Sequence, residues 1–221
     1  MSRELKFDFP GLRVGIAEYE EGPTGCTVFH LPPGGAACSV DIRGGSPGTL
    51  GNYEWAHAVC FAGGSLYGLE AACGVAAELM AMRGYTVGWT EVELVLGAIV
   101  DREGNVVRGH YDADRQVRMR LVEGLEEQLP QAAPGNTTLT LVVTNQKLTR
   151  RELRQLGVQV HASMGRAIQP FHALVDGDVL YTISTNEIEN AQLTSMSLGV
   201  VASELAWDAV LSCVDDEASS G

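Results

Sequence analysis

The sequence predicts an α+β fold in which helices pack on β-sheets in layers, built as a single domain over residues 1–221. The chain of 221 residues suits one domain of good size better than two small ones. Hydrophobic residues make up 45% of it and charged residues only 19%, so we expect a substantial core. Strand-like and helix-like segments follow one another in blocks, as is typical of layered folds of this class.

The first third of the chain is predicted to be rich in β-strands. Short apolar runs, separated by Gly and Pro clusters, occur at residues 12–19, 26–31 and 37–45. A long helix is predicted to begin after Gly63-Gly64 and to end at Gly84. Its many small residues suit close packing on a sheet: Gly68, Ala71, Ala72, Gly74, Ala76 and Ala77.

The middle of the chain is predicted to contain two strands, a polar helix and a break. Residues 94–109 have the pattern of two strands around a turn at 102–105. A polar helix is expected over residues 116–128. Residues 128–136 form the best break in the chain, with two prolines, a glycine and no periodicity.

A strand is predicted directly after this break. Its two faces are expected to divide as Leu139, Leu141 and Val143 on one side, and Thr138, Thr140, Val142 and Thr144 on the other. A helix with a capping box from Thr149 to Glu152 follows. The helix carries an apolar stripe formed by Leu153, Leu156, Val160, Met164 and Ile168.

The last part of the chain is predicted to be a strand and a helix. Residues 176–187, "DGDVLYTISTNE", read as a turn that leads into a strand. The apolar segment 193–214 carries Glu204 and Asp208, so we expect a buried helix and not a membrane span.

The charge of the chain limits its partners. Acidic residues outnumber basic ones 28 to 15, which gives a net charge of −13 and argues against nucleic acid or an anionic membrane as a partner. The first ten residues lack the apolar core of a signal peptide. A cytoplasmic protein is therefore expected.

Neither the cysteines nor the histidines have the spacing of a metal site. The cysteines are odd in number, lack CxxC spacing, and are expected to be reduced and packed as small hydrophobes: Cys26, Cys38, Cys60, Cys73 and Cys213. The histidines lack HExxH-type spacing: His30, His57, His110, His161 and His172. We expect no metal and no organic cofactor.

Thr137 is the first candidate for chemistry. A hydroxyl is a poor nucleophile without a nearby base, and cleavage of the chain before a Thr would supply its own α-amine as that base. A Pro/Gly-rich linker that leads through Asn136 into a strand permits such a cut. By spacing alone, the polar start of an ordinary strand remains the simpler alternative, and a glycosylation sequon is another.

Asp176 and Asp178 are the second candidates. Two carboxylates two residues apart can divide acid and base roles, although an ordinary Asp-Gly hairpin turn is the simpler alternative. The glycine-rich stretch 63–68 is the third, because such a helix entry can bind an anion with its N–H groups. It fits neither the phosphate-loop nor the dinucleotide pattern, and its alternative is a tight turn with Tyr67 in the core.

Four segments together resemble a known family. They are "PTGCTVFHLPPGGAACSVDIRGGSPGT", "CFAGGSLYGLEAACGV", "GNTTLTLVVTN" and "ASMGRAIQPFHALVDGDVLYTISTNE". In combination they are specific, and they resemble the L-aminopeptidase/D-esterase family of N-terminal nucleophile hydrolases. The similarity is greatest to the branch that hydrolyses nylon (6-aminohexanoate) oligomers, and it covers nearly the whole chain.

The resemblance implies roles for the candidate residues. Members cleave themselves in front of a Ser or Thr, and the matching bond here is Asn136–Thr137, which would divide the chain into an α fragment and a β fragment of residues 1–136 and 137–221. Thr137 would then be the nucleophile. Two acidic residues of a DGD-like turn assist it in the nylon-oligomer branch, and they match Asp176 and Asp178.

The resemblance has further implications for the site and the assembly. Tyr67, from the GGSxYGL motif, would line the site near the scissile carbonyl. The implied fold is a four-layer αββα sandwich, usually assembled into a homotetramer or a larger oligomer. The implied substrates are linear amides such as 6-aminohexanoate oligomers, with small peptides, as for an aminopeptidase, as an alternative.

One departure from the family's pattern leads to a second hypothesis. Relatives carry a Gly/Ala-rich region that brings a catalytic Lys and an oxyanion-stabilising Asn, whereas here Val95 runs directly into Leu96. The only lysines of the chain, Lys6 and Lys147, do not match that position. A catalytically impaired or unprocessed family member is therefore the alternative to an active hydrolase.

Overall fold

A computed structural model describes residues 9–19, 24–100 and 137–212. Several sequence-based predictions lie outside these residues, namely the strand after the turn at 102–105, the polar helix 116–128, the break that ends at Asn136, and Cys213. The described strands are β1 (Arg13–Tyr19), β2 (Thr24–His30), β3 (Ala36–Ile42), β4 (Thr49–Leu50), β5 (Trp55–Ala56), β6 (Ala58–Ala62), β7 (Val95–Ile99), β8 (Leu139–Gln146) and β9 (Val179–Ile188). The α-helices are α1 (Leu69–Met82), α2 (Arg150–Met164) and α3 (Ser195–Ser212).

The described strands form two sheets, so the α+β class is confirmed. One sheet has five strands in the order β1-β2-β6-β7-β4, and the other has four in the order β5-β3-β9-β8. A buried cluster combines side chains of both sheets, for example Val59 and Leu96 of the first with Cys38 and Ile183 of the second. The apolar faces of the two sheets are therefore covered by each other.

Each sheet also packs against helices. On the five-stranded sheet, Ala58 and Val95 cluster with Ala72 and Leu79 of α1. The approach is close, because a Cβ at Gly97 of β7 would lie 2.8 Å from the Cβ of Ala72. The prediction that the small residues of this helix serve close packing on a sheet is confirmed at this point.

The predicted faces of β8 are confirmed. Leu139, Leu141 and Val143 pack toward the cluster between the sheets. Val142, on the opposite face, packs with the cluster formed by α2 and α3. Successive side chains of β8 therefore point alternately into two different apolar clusters, one between the sheets and one under α2 and α3.

The helix after β8 begins as its sequence predicts. The Thr149 hydroxyl accepts the Glu152 N–H, and the Glu152 carboxylate accepts the Thr149 N–H, which completes the capping box. Four of the five residues of the predicted apolar stripe lie in α2 and are buried, namely Leu153, Leu156, Val160 and Met164. Ile168 was predicted on the helix but follows its end, and it is partly buried against the cluster that α2 forms with β9 and α3.

The last helix differs from the prediction of a buried helix. One face of α3 packs against α2 through Leu198, Ala202, Ala206 and Val210. Its other face is exposed and apolar, with Met196, Val200, Val201 and Leu205 open to solvent. The prediction overlooked this because the helix is apolar on both sides, so its pattern does not indicate which side is covered. In the described part of the chain no helix combines the length and apolar character needed to cross a bilayer.

The junction of Val95 and Leu96 lies inside regular structure. β7 pairs in parallel with β6 over its whole length, with Ala58 opposite Val95 and Val59 opposite Leu96, and both junction residues are buried. His57 forms two hydrogen bonds with Leu94, the residue just before this junction. The N–H of His57 donates to the Leu94 carbonyl at 2.8 Å, and His57 Nδ1 accepts the Leu94 N–H at 3.0 Å.

Tyr181→Phe is expected to destabilise the fold, because the buried Tyr181 hydroxyl of β9 donates to the Gly97 carbonyl of β7 at 2.8 Å and joins the two sheets. Loss of one such hydrogen bond should lower the free energy of unfolding by about 1 kcal/mol, as measured by urea denaturation. Tyr85→Phe is the matched control, since Tyr85 is 68% exposed. Equal stability of the two variants would contradict the sheet-joining role.

His57→Asn is expected to reduce the acid sensitivity of the fold. Burial lowers the pKa of His57, with a smaller opposing effect from Glu93, so the unfolded chain takes up the proton more readily than the folded one. The contribution of His57 to stability is therefore present above the ordinary histidine pKa of about 6.5 and is lost as pH falls below it. The Asn side chain cannot titrate, yet its carbonyl can accept the Leu94 N–H. Urea denaturation at a series of pH values should show a shallower decline for the variant, and identical declines would refute this assignment.

Candidate active site

Three strand ends meet at one edge of the four-stranded sheet. β8 and β9 run parallel with Leu139 opposite Val179, so the residues that precede the two strands lie side by side. β3 runs antiparallel to β9, and its last residue, Ile42, is also opposite Val179. This pairing brings Thr137 to residues 176–178, about forty positions later in the chain.

Thr137 lies half-buried at this edge, two residues before β8. Its hydroxyl oxygen accepts a hydrogen bond from the Gly177 N–H at 3.3 Å. A Cβ at Gly177 would lie 3.2 Å from that oxygen and 2.8 Å from the Ser46 carbonyl oxygen. Glycine between the two aspartates therefore leaves space for the Thr137 hydroxyl.

Asp178 is fully buried and holds the backbone next to Thr137. Its Oδ1 accepts the Thr138 N–H at 2.8 Å, and the Val179 N–H donates to the Thr138 carbonyl at 3.0 Å. Its Oδ2 accepts the backbone N–H of His172 at 2.9 Å and lies 2.8 Å from His172 Nδ1. The carboxylate thus connects the start of β8 to the loop that contains His172.

Asp176 is also buried, and its carboxylate Oδ2 accepts the Ala173 N–H at 2.6 Å. Its backbone carbonyl accepts the Ser46 N–H at 2.9 Å, from the segment that follows β3. The alternative of an ordinary Asp-Gly hairpin is wrong, because residues 176–178 lead into β9 from a loop after α2, and β8 and β9 are parallel.

Tyr67 lies in a short 3-10 helix, Ser65–Gly68, at the entry to α1. The predicted tight turn is confirmed, and Gly64 adopts φ +91° within it. The prediction of Tyr67 in the core is wrong, because the side chain is 91% exposed. Tyr67 forms no hydrogen bond with Thr137 in the described part of the chain.

The segment 44–48 borders both Gly177 and Leu66. Its Ser46 carbonyl and Pro47 Cα border Gly177, while a Cβ at Gly48 would lie 3.3 Å from Leu66, the neighbour of Tyr67. Sequence reasoning did not identify this segment as part of the site, because its polar contacts are made by its backbone.

Two histidines beside the site were also not identified. His161 of α2 is fully buried, its Nδ1 lies 2.9 Å from Asp41 Oδ2, and its ring centroid is 4.6 Å from that of His172. Burial lowers the pKa of His161, and the hydrogen bond to Asp41 opposes this. The only signal for His172 in the sequence is its position four residues before Asp176.

The described cysteines are free thiols. Cys38 and Cys60 are buried as predicted, and burial raises the pKa of each to about 12, which makes them poor nucleophiles. Cys73 is exposed, so the prediction of packing as a small hydrophobe is wrong for this residue. Among residues 9–19, 24–100 and 137–212, no group of three or more His, Cys, Asp or Glu side chains is placed to hold a metal ion.

The sequence matches a known family and several named proteins. The model of Peptidase family S58 matches residues 63–218. A 6-aminohexanoate-oligomer endohydrolase of Kocuria sp. (strain KY2) is 35% identical over 302 residues, which cover 94% of this chain and 85% of that protein. One of Paenarthrobacter ureafaciens matches with the same identity and coverage. An uncharacterized aminopeptidase of Mycobacterium bovis is 25% identical over 189 residues, which cover 74% of this chain and 51% of that protein.

The endohydrolases are longer than this chain within the matched region. Since 94% of 221 residues is about 208, about 94 of the 302 aligned positions have no residue of this chain opposite them. A difference in length of this size agrees with the expectation of a segment that relatives have and this chain lacks.

Asp178→Asn is expected to lower the free energy of unfolding by about 2 kcal/mol, because an amide replaces one of two oxygens that accept buried N–H groups. Urea denaturation measures the change. Asp208→Asn on the exposed surface of α3 is the control, and it should stay within about 0.5 kcal/mol of the parent protein. If the two variants have the same free energy of unfolding, the hydrogen bonds of Asp178 do not stabilise the site.

Proposed function

This chain belongs to peptidase family S58 and is an amide-bond hydrolase by family, and we propose that its nucleophile is the hydroxyl of Thr137. The observation that carries the proposal is the place of this hydroxyl. It lies just before a strand, against the N–H of Gly177, the residue between two buried aspartates. A hydroxyl held at the edge of a sheet is positioned more firmly than one on a free loop.

Activation requires a base, and we propose that cleavage of the Asn136–Thr137 bond supplies it. The cut would free the α-amine of Thr137, whose ordinary pKa near 8 suits a base at neutral pH. The amine would take the hydroxyl proton as Oγ attacks the substrate carbonyl. The proton would pass to the leaving amine, and water would then hydrolyse the acyl ester on Thr137.

The two aspartates have different parts in this proposal. Asp178 anchors the Thr138 N–H and so fixes the backbone from which the nucleophile projects. Asp176, buried on the other side of Gly177, would orient the freed amine through charge. Tyr67 would approach the reacting carbonyl from the exposed turn before α1 when substrate is bound, and its high exposure is compatible with that role.

We propose linear amides such as 6-aminohexanoate oligomers as substrates. Two relatives that share 35% of their aligned residues with this chain carry the name 6-aminohexanoate-oligomer endohydrolase, which supports the proposal. Small peptides are the alternative substrate class, supported by the more distant aminopeptidase. Neither substrate requires a metal or an organic cofactor in the proposed chemistry.

The layering and assembly implied by the family remain proposals as well. The three clusters support a four-layer αββα arrangement, with α1 outside one sheet and α2 and α3 outside the other. The exposed apolar face of α3 supports a homo-oligomer, with a tetramer as the expected size, because such a face gains stability when it is covered. A cytoplasmic location is supported by the net charge of −13.

An impaired or unprocessed hydrolase is the second candidate, and the shorter length of the chain favours it. If a missing residue donated to the oxyanion, its loss would reduce the rate by about 100- to 1000-fold. This candidate predicts the same fold around Thr137 without cleavage of the chain or rapid turnover.

Thr137→Ala is expected to abolish both cleavage of the chain and hydrolysis of a 6-aminohexanoate oligomer, because the alanine has no hydroxyl. Denaturing electrophoresis and intact mass should show two fragments from the 23.6 kDa parent chain, divided between residues 136 and 137, and only the full-length chain from the variant.

Thr138→Ala is the neighbouring control, since its backbone N–H can still bond to Asp178, and it should still be cleaved at the same bond. Fragments from Thr137→Ala with the parent's end points would refute the nucleophile. A parent chain that stays intact and inactive on long incubation would favour the impaired hydrolase.

A further inference from the structure

His172 donates twice to the buried aspartate of the candidate site. Its backbone N–H lies 2.9 Å and its Nδ1 2.8 Å from the same atom, Asp178 Oδ2. The other oxygen of that carboxylate holds the Thr138 N–H. Three donors thus fix the carboxylate, and two of them belong to His172.

The backbone of His172 is strained in a way that serves this contact. Its φ is +62°, in the left-handed region that residues other than glycine rarely occupy. Such a conformation persists only where the surrounding structure enforces it, and it often marks a functional position. Here it allows one residue to direct its backbone N–H and its ring toward the same oxygen.

The ring of His172 is held from two sides. The ring of Phe171 lies 3.7 Å away between centroids, and that of His161 lies 4.6 Å away, edge to face. The side chain of His172 is 20% exposed, and its Nε2 is buried without a hydrogen-bond partner among the described residues. Because the carboxylate of Asp178 accepts the hydrogen bond, Nδ1 of His172 must carry the proton. The buried Nε2 of the neutral ring then carries the lone pair.

A second layer supports this arrangement from β3. His161 Nδ1 and Arg43 Nε both contact Asp41 Oδ2, at 2.9 and 2.8 Å. The backbone N–H of Arg43 donates to the Asp178 carbonyl at 2.8 Å. The network therefore connects β3, α2 and the residue before β9, through the carboxylate of Asp41 and the backbone carbonyl of Asp178.

From this geometry we infer that His172 is a positioning residue, which holds Asp178 so that the Thr138 N–H, and with it Thr137, stays in the orientation needed for attack. The inference rests on the proposed function, because it assigns Thr137 as the nucleophile. Among the described residues, the hydrogen bonds of His172 go to Asp178 and not to Thr137, so in this inference it acts through Asp178. Its effect should therefore fall on the rate of chemistry and not on substrate binding.

Two variants of His172 separate the hydrogen bond from the backbone conformation. Glycine and asparagine both tolerate positive φ, but only asparagine carries a side-chain N–H that can occupy the place of Nδ1. His172→Gly should lower kcat on a 6-aminohexanoate oligomer by about 10- to 100-fold with KM within about 2-fold, because the nucleophile is misplaced. His172→Asn should recover most of that loss.

The inference is overturned if His172→Gly keeps the parent's kcat, or if His172→Asn is as slow as His172→Gly. Thr137→Ala in the same assay separates failure of the positioning role of His172 from failure of Thr137 as the nucleophile. If Thr137→Ala is inactive while His172→Gly is fully active, only the positioning role fails. If Thr137→Ala remains active, the proposed function fails.

A second measurement does not depend on turnover. Imidazole ¹⁵N chemical shifts, with His172 assigned by comparison with His172→Asn, report which ring nitrogen carries the proton in neutral histidine. The inference requires the proton on Nδ1, with the His172 signals altered in Asp178→Asn. A proton on Nε2 would overturn it even in a preparation that is neither cleaved nor active.

Discussion

The parallel pairing of β8 with β9, closed at its edge by Asp178, is the constraint on which the candidate site depends. The Asp178 side chain accepts the Thr138 N–H while the Thr138 carbonyl accepts the Val179 N–H, so the two chain segments hold each other in register. A slip by one residue would turn each β8 side chain to the other core and would remove Thr137 from Gly177. The packing of the strand and the position of the hydroxyl are thus fixed by the same pairing.

The rest of the fold makes that edge rigid. β9 lies between β3 and β8 in its sheet, and Tyr181 of β9 reaches across to the Gly97 carbonyl of the other sheet. The ring of Tyr181 also stacks on that of Phe61, at 6.1 Å between centroids. Because β9 is anchored to both sheets, the residues just before it are held in a fixed position. These residues contact Thr137 and Thr138, and a nucleophile requires such fixed positioning.

The sequence permits prediction of local structure more completely than of the site. The faces of β8 and the capping box at Thr149 follow from periodicity and short-range chemistry, and both are confirmed. The link from His172 to Asp178 does not follow from either, because it depends on a left-handed backbone at His172. The contact of Thr137 with Gly177 does not follow either, because it depends on strand pairing across about forty residues. The exposure of Tyr67 was also missed, since an aromatic residue between glycines reads equally well as a core residue or a surface one.

The position of the Val95–Leu96 junction bears on whether this shorter chain can act as a hydrolase. The junction lies at the start of β7, whereas Ile99 at the other end of that strand donates its N–H to Gly48, beside the candidate site. Four residues of strand separate them by about 13 Å. A segment inserted at the junction would have to return along the sheet to bring a side chain to Thr137. The hydrogen bonds of Thr137 and Thr138 with Gly177 and Asp178 do not involve the junction, so they do not depend on such a segment.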